Sequence, residues 1–255
     1  MTVFTCDYNW EAMLSCIYTA WTSRLGFQNI RLALEENVQR DLFDTYIYVP
    51  CDVANAESVI DAVNIKISPT FYSELAYAGM AYEPEALDAI YRVMVLGFAY
   101  GPQVLDMVQY EPVIRFKEIS RRLGNESCRF KEAVRFHEVR KDLFVAHIEP
   151  KSKICITLGP PFEDRMPSEN WMIVDDVNKE AVIHPKNEHF YLRILTSQEL
   201  EALQETERLN DEYTDLWKVF FDSISIKERE NYRCQRNHSP LWARKHIVEF
   251  NIPHK

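Results

Sequence analysis

Glycine is scarce in this chain, with six in 255 residues. Phosphate-cradling loops and repeat-built β solenoids both depend on glycine, so neither is expected. The chain has no dinucleotide G-x-G-x-x-G, no phosphate loop closed by Gly-Lys-Ser/Thr and no G-x-S-x-G nucleophile elbow. No apolar run approaches the roughly 20 residues that a membrane-spanning helix requires. The opening residues 1–7 have neither a basic n-region nor a long apolar h-region, so no signal peptide is expected. The six cysteines (Cys6, Cys16, Cys51, Cys128, Cys155, Cys234) are widely scattered and never form C-x-x-C. In a chain of this length that pattern predicts reduced thiols and, by default, the cytoplasm. Seven histidines include no H-x-x-x-H pair, and His184 and His189 are not at helical i, i+4 spacing. Neither a metal nor a cofactor is called from these motifs, although a zinc site is still able to assemble from distant residues.

Hydrophobic residues make up 47% of the chain and aromatics 13%, which excludes a disordered protein and supports a sizeable core. The net charge of −10 argues against a general nucleic-acid coat protein. Its distribution is uneven. Residues 1–111 carry five Lys/Arg against fifteen Asp/Glu, and residues 142–226 carry eight against seventeen. Residues 112–141 carry nine against four, and residues 227–255 seven against three. Two basic islands therefore lie in an acidic chain, suited either to phosphate or to the protein's own acidic surface.

Hydrophobic period gives the elements. Residues 2–6 read as a strand, and Trp10, Met13, Leu14, Ile17, Tyr18 and Trp21 predict an amphipathic helix to about Leu25, ended by Gly26. Residues 30–34 and 44–49 read as strands, the second stopping at Pro50. Asp52 is placed to cap a helix reaching about Val63. Residues 69–124 are helical in pattern and broken near Pro84, Pro102 and Pro112, where a missing N–H costs little. At Phe130 the period changes to two, predicting strands over residues 130–139, 143–149, 154–158, 171–174 and 180–184 in an antiparallel meander. Helical period returns over residues 197–212 and 216–223, with a last segment near 242–250. The fold class expected is α+β, as one domain over residues 1–255. Its parts are an N-terminal strand/helix portion (1–68), a helical subdomain (69–129), the meander (130–195) and C-terminal helices (196–255).

Two carboxylate pairs, Glu163-Asp164 and Asp175-Asp176, have the chemistry for a divalent cation or for acid/base work. Adjacent residues on a strand face opposite ways, so each pair offers at most one group to one site. Gly159-Pro160-Pro161-Phe162 reads as a rigid turn. The C-terminal stretch is denser in signal. Leu216, Trp217, Lys218, Phe220, Phe221, Ile224 and Ile226 form an aromatic–aliphatic stripe, and burial of Trp217, like that of Trp171, is expected from it. Behind it come Arg229, Asn231, Arg233, Gln235, Arg236 and Asn237, planar donors and amides that suit phosphate and base edges. Rings interleaved with such groups also suit stacking on unpaired bases. The plainer role for the same segment is a polar loop capping the helices.

The pattern from Leu216-Trp217-Lys218 through Phe220-Phe221, Arg229, Asn231 and Gln235 to Pro240-x-Trp242 resembles the C-terminal signature of an uncharacterised bacterial family associated with DNA metabolism and DNA repair. Arg129-Phe130-Lys131-x-x-Val134-Arg135-Phe136 is similar to the family's paired F-x-R-F strand. Ala146-x-x-Glu149-Pro150, Phe162-x-x-Arg165 and Trp171-x-Ile173-x-Asp175 follow in the family's order. The resemblance implies an accessory or binding protein of DNA metabolism. Members neighbour a radical-SAM DNA-repair-like protein, and some are fused to a uracil-DNA-glycosylase-like domain. A radical-SAM cluster needs three closely spaced cysteines, which this chain lacks, so any such cluster would belong to the partner. If DNA is bound directly, the candidates are Arg121, Arg122, Arg229, Arg233, Arg236 and Arg244. The alternatives are a hydrolase or glycosylase-like enzyme with a pocket around Arg165 and Asp175, and a structural protein-interaction module.

Overall fold

A computed structural model describes residues 1–206, 216, 217, 219, 220, 223, 224, 226, 228 and 231–250. The chain divides into two compact units, residues 1–123 and 124–255. The architecture is mixed α+β, as the sequence predicts.

In the first unit, β1 (Thr2–Cys6) is the centre of a three-stranded parallel sheet, between β2 (Ile30–Leu34) and β3 (Thr45–Tyr48). Helix α1 (Trp10–Thr22) starts at Asn9, whose side chain accepts from the Ala12 N–H. It ends at Ser23 rather than at Gly26, because the chain already turns at Arg24, and Gly26 serves the following turn to Asn29. Asp52 caps α2 (Val53–Lys66) as expected, accepting from the Ala54 and Asn55 N–H groups. Helices α3 (Pro69–Ala78) and α4 (Ala86–Tyr100) complete a core that includes Met13, Leu14, Ile17, Phe71, Leu75, Leu87 and Ile90. The run at residues 102–106 is a 3-10 turn, too short for an α-helix.

Helix α5 (Glu111–Ala133) extends well past Gly124, taking in residues expected to begin the meander. Phe116, Ile119, Leu123 and Phe130 are all buried along it, so the 3.6 period continues beyond the glycine. The strand expected from residue 130 is therefore confined to β4 (His137–Arg140). In the second unit, β4, β5 (Leu143–Ile148), β6 (Asn170–Asp175), β7 (Glu180–His184) and β8 (Tyr191–Ile194) form a sheet in that spatial order. Three neighbouring pairs are antiparallel, but β5 and β6 are parallel, so the sheet is not the simple meander predicted.

The difference comes from residues 154–158, expected as a strand and found in helix α6 (Cys155–Arg165), which also contains the expected Gly-Pro-Pro turn. Cys155, Leu158, Gly159 and Phe162 lie on one buried helical face, and a helix is what a parallel crossover needs. Phe190 packs on Gly159, where a Cβ would sit 2.6 Å from its ring Cδ2. Gly159→Ala is expected to cost about 1–3 kcal/mol through overpacking. The shift of the urea midpoint measures it, and an unchanged midpoint would show that Phe190 swings aside freely.

Alternation along β5 and β6 sorts the faces. Ala146, Trp171, Ile173 and Asp175 share one face, while Val145, His147 and Val174 share the other, where helix α7 (Ser197–Thr206) places Leu200. Helix α8 (Tyr232–His238) and 3-10 turns at Leu241–Ala243 and Val248–Phe250 follow.

Candidate functional site

Parallel strands that share a crossover helix bring their carboxyl ends together, and open α/β sheets favour ligand sites there. His147 and Glu149 stand two residues apart at the end of β5, on the same face by the period of a strand. Asp176 follows the last residue of β6, tied to β5 by its N–H donating to the Ile148 carbonyl at 3.0 Å. His246 joins them from the C-terminal segment.

His147 is fully buried, and its Nδ1 lies 3.2 and 3.1 Å from the two Asp176 carboxylate oxygens. Burial works against the Asp176 charge, but the His147 hydrogen bond and charge, the Gln204 amide donated from α7 and the charge of His246 together outweigh it. Asp176 is held below the usual carboxylate range as a result. His246 Nε2 lies 3.8 Å from Glu149 Oε1 and 3.9 Å from Asp176 Oδ2. The Lys245 ammonium pairs with Glu149 Oε1. The imidazoles of His137, His147 and His246 form a row with centroids 6.2 and 6.1 Å apart. Beside this group is a small, water-sized pocket, lined among others by His147, Glu149, Trp242, Lys245 and His246.

Asp175 and Asp176 do face opposite ways. Asp175 is fully buried and accepts from the Val177 and Asn178 N–H groups and from the Asn178 side chain, at 3.0, 2.9 and 2.8 Å. It anchors the β6–β7 turn. Arg165 is exposed at the far end of α6, before β6 begins, with its guanidinium over the Phe162 ring. The length of β6, at about 3.3 Å per residue, puts these two at opposite ends of the strand, so the expected shared pocket around them is not what the fold builds. Cys155 offers no nucleophile. Burial first, and the Asp175 charge second, push its thiol well above the normal range.

The other singled-out residues fall into two groups. Phe136 meets Phe162 and Trp171 edge-on, and Trp171 stacks on His184, so this set is core. Arg135 pairs with the nearly buried Glu249 at 2.7 Å. Asn231 caps α8 by accepting from the Cys234 N–H, and Pro240 opens the next turn. Gln235 accepts from Arg244, which also donates to the Ser239 carbonyl and lies over the Phe250 ring. Arg244 is thereby engaged within the fold through Nε and Nη1. Exposed, by contrast, are Arg121, Arg122, Arg129, Arg233 and Arg236. Trp217, expected to be buried, is 40% exposed, its ring 5.7 Å from that of Phe220, also exposed. A periodic stripe says which residues share a face, not whether another element covers it. Lys218, Phe221 and Arg229 lie outside the described residues.

No motif pointed to the His147–Glu149–Asp176–His246 group. Its one local signal is the H-x-E spacing at the end of a strand, since His246 is 97 residues beyond Glu149 in sequence.

The class defined by these features is a mixed α+β protein with a histidine–carboxylate cluster at the ends of a parallel strand pair. A family described as a domain of unknown function, DUF4130, matches residues 84–249, and the chain belongs to it. None of the curated proteins matches the chain. All six cysteines are free thiols, and among the described residues no helix is long and apolar enough to cross a membrane.

Proposed function

We propose that this protein is a cytoplasmic accessory or binding protein of DNA metabolism, working in repair or modification beside a radical-SAM partner, and that its C-terminal segment contacts DNA. The observation that carries the reading is α8. None of its residues is buried, and Tyr232, Arg233, Arg236, Asn237 and His238 all reach solvent. Neither Arg233 nor Arg236 is needed to hold a cap, unlike Asn231. Clustered guanidinium groups give phosphate affinity by counterion release, which a net-acidic protein gains only locally. Tyr232, which is exposed, adds a ring on which an unpaired base can stack.

Fluorescence anisotropy with single- and double-stranded oligonucleotides at two salt concentrations tests the DNA contact. Arg233→Ala/Arg236→Ala is expected to weaken binding about tenfold and to lower the slope of log affinity against log salt by about 1–2. Equal affinities and slopes for both proteins would remove the DNA contact from the proposal. The partner is tested separately, by affinity capture from the native bacterial cell with iron and sulfide assayed in the eluate.

An enzymatic reading, hydrolase or glycosylase-like, is favoured by one observation, the ionised Asp176 carboxylate hydrogen-bonded to a buried imidazole. That reading belongs to the cluster around Asp176 and not to Arg165 and Asp175.

A further inference from the structure

We infer that Glu149, Asp176 and His246 form a binding site for a divalent first-row transition-metal ion, with His147 holding Asp176 in position. The inference does not rest on the DNA reading.

The three ligand atoms, one from each residue, all lie within 4.8 Å of one another. Two of the separations, 3.8 and 3.9 Å from His246 Nε2 to the carboxylate oxygens, are too long for hydrogen bonds. They are close to what a shared ion requires. Oxygen and nitrogen ligands about 2.0–2.2 Å from a tetrahedral ion stand about 3.4 Å from each other. For His246, closing the difference takes a few tenths of an ångström, and the two carboxylates have at most about 1.4 Å to close between them. The strands set two of the three residues, because Glu149 and Asp176 follow the neighbouring parallel strands β5 and β6.

Asp176 is also held from behind. The His147 side chain is fully buried, and its Nδ1 faces Asp176. Its Nε2 meets no hydrogen-bond partner among the described residues. Leaving a buried ring nitrogen unsatisfied costs about 1–3 kcal/mol, and the same ring lines the pocket shared by Glu149 and His246. Metal-ligating carboxylates are held by such outer hydrogen bonds, which fix the lone pair presented to the ion. Gln204 supplies a further one to Asp176 Oδ1 at 3.1 Å.

The donor set names the ion class. Two carboxylates and one imidazole, with no thiolate, suit Zn²⁺, Mn²⁺ or Fe²⁺ and disfavour Cu⁺ or an iron–sulfur cluster. The imidazole also disfavours Mg²⁺ and Ca²⁺, which take oxygen ligands. Three protein ligands leave at least one coordination position open, the pattern of zinc sites that bind water or substrate. The pocket beside it has room for about one water molecule, which could take that position. Lys245 competes for the site. Its ammonium sits on Glu149 Oε1 and supplies there the positive charge an ion would bring, on a side chain that is 63% exposed.

The test uses the full chain, stripped with a chelator, titrated with Zn²⁺ by calorimetry and with Co²⁺ by visible absorption. One Zn²⁺ per chain at micromolar affinity or tighter is expected, with Co²⁺ bands lacking thiolate charge transfer. Glu149→Gln, which keeps the shape, should weaken Zn²⁺ at least tenfold, and His246→Ala at least a hundredfold. His147→Ala should weaken it about 10–100-fold, as outer-shell partners do. Lys245→Met should bind as tightly as the parent or several-fold more tightly. Each variant is first melted without metal, and if His246→Ala does not fold, Glu149→Gln and Lys245→Met decide. No binding to the folded parent, unchanged affinity in Glu149→Gln, or a thiolate band placing the metal on a cysteine would each overturn the inference.

Discussion

Trp171→Ala should cost about 3–5 kcal/mol of stability, the range for removing a large buried ring. Trp171 is fully buried, and its ring stacks on His184 at 4.9 Å with planes only 4° apart. Phe136 and Phe162 approach it edge-on at 6.1 and 6.2 Å, so truncation opens a cavity walled by three rings from separate segments. These rings are held by β7, by the chain before β4 and by α6, and none can shift inward without leaving its own packing. The indole Nε1 also donates to the Met166 carbonyl at 3.2 Å. Trp171→Phe should therefore cost less than alanine, losing some volume and one hydrogen bond worth about 1 kcal/mol. Urea unfolding of the two variants measures the difference. An alanine cost below about 1 kcal/mol would mean that this aromatic group is not the core of the second unit.

Asp175→Asn should change how stability depends on pH. Burial pushes the Asp175 carboxyl up to about 7, even though the Asn178 and Val177 donors pull the other way. In the unfolded chain an aspartic acid titrates near 3.9. Between those values the folded protein binds the proton and the unfolded chain does not, so stability falls as pH rises through this window. Below about pH 4 both states are protonated and no penalty from this group remains. Above about pH 7 the penalty is complete, about 4 kcal/mol for a shift of some three units at 1.36 kcal/mol each. Asparagine cannot ionise, and its carbonyl still accepts from the Val177 and Asn178 N–H groups. Relative to the parent, Asp175→Asn is thus expected to gain stability progressively from pH 4 to pH 8. Denaturation midpoints at several pH values, in the presence of a chelator so that no cation biases Asp176, follow this directly. A parent-minus-variant difference that stays flat with pH would mean that Asp175 ionises in the fold at no cost.

The first unit is where the sequence read most nearly true. Strands 2–6 and 30–34 and the Asp52 cap were legible because they rest on local causes, a strand's alternation or β-branched residues and a side chain reaching its own helix's N–H groups. Gly26 misled because a glycine near a helix end is only a permitted cap, and the turn at Arg24 came first. Residues 154–158 misled more deeply. Ile154-Cys155-Ile156-Thr157-Leu158 has the composition of a strand, and two prolines follow, yet the segment is helical. A short apolar run carries no period of its own, so what it packs against decides, and here it packs as the crossover between two parallel strands.

Trp217 and Trp171 make the same point at the level of single side chains. Both sit in apolar stripes, but Trp171 is fully buried while Trp217 is 40% exposed. By itself the sequence determined the α+β class and the alternation that turns Asp175 and Asp176 to opposite faces. These depend on neighbours within a few residues. The parallel pairing of β5 with β6, and with it the meeting of His147, Glu149, Asp176 and His246, was decided only by tertiary structure. Those residues come from β5, the end of β6 and a segment some 70 residues later, and no period or spacing relates groups that only packing brings within bonding distance.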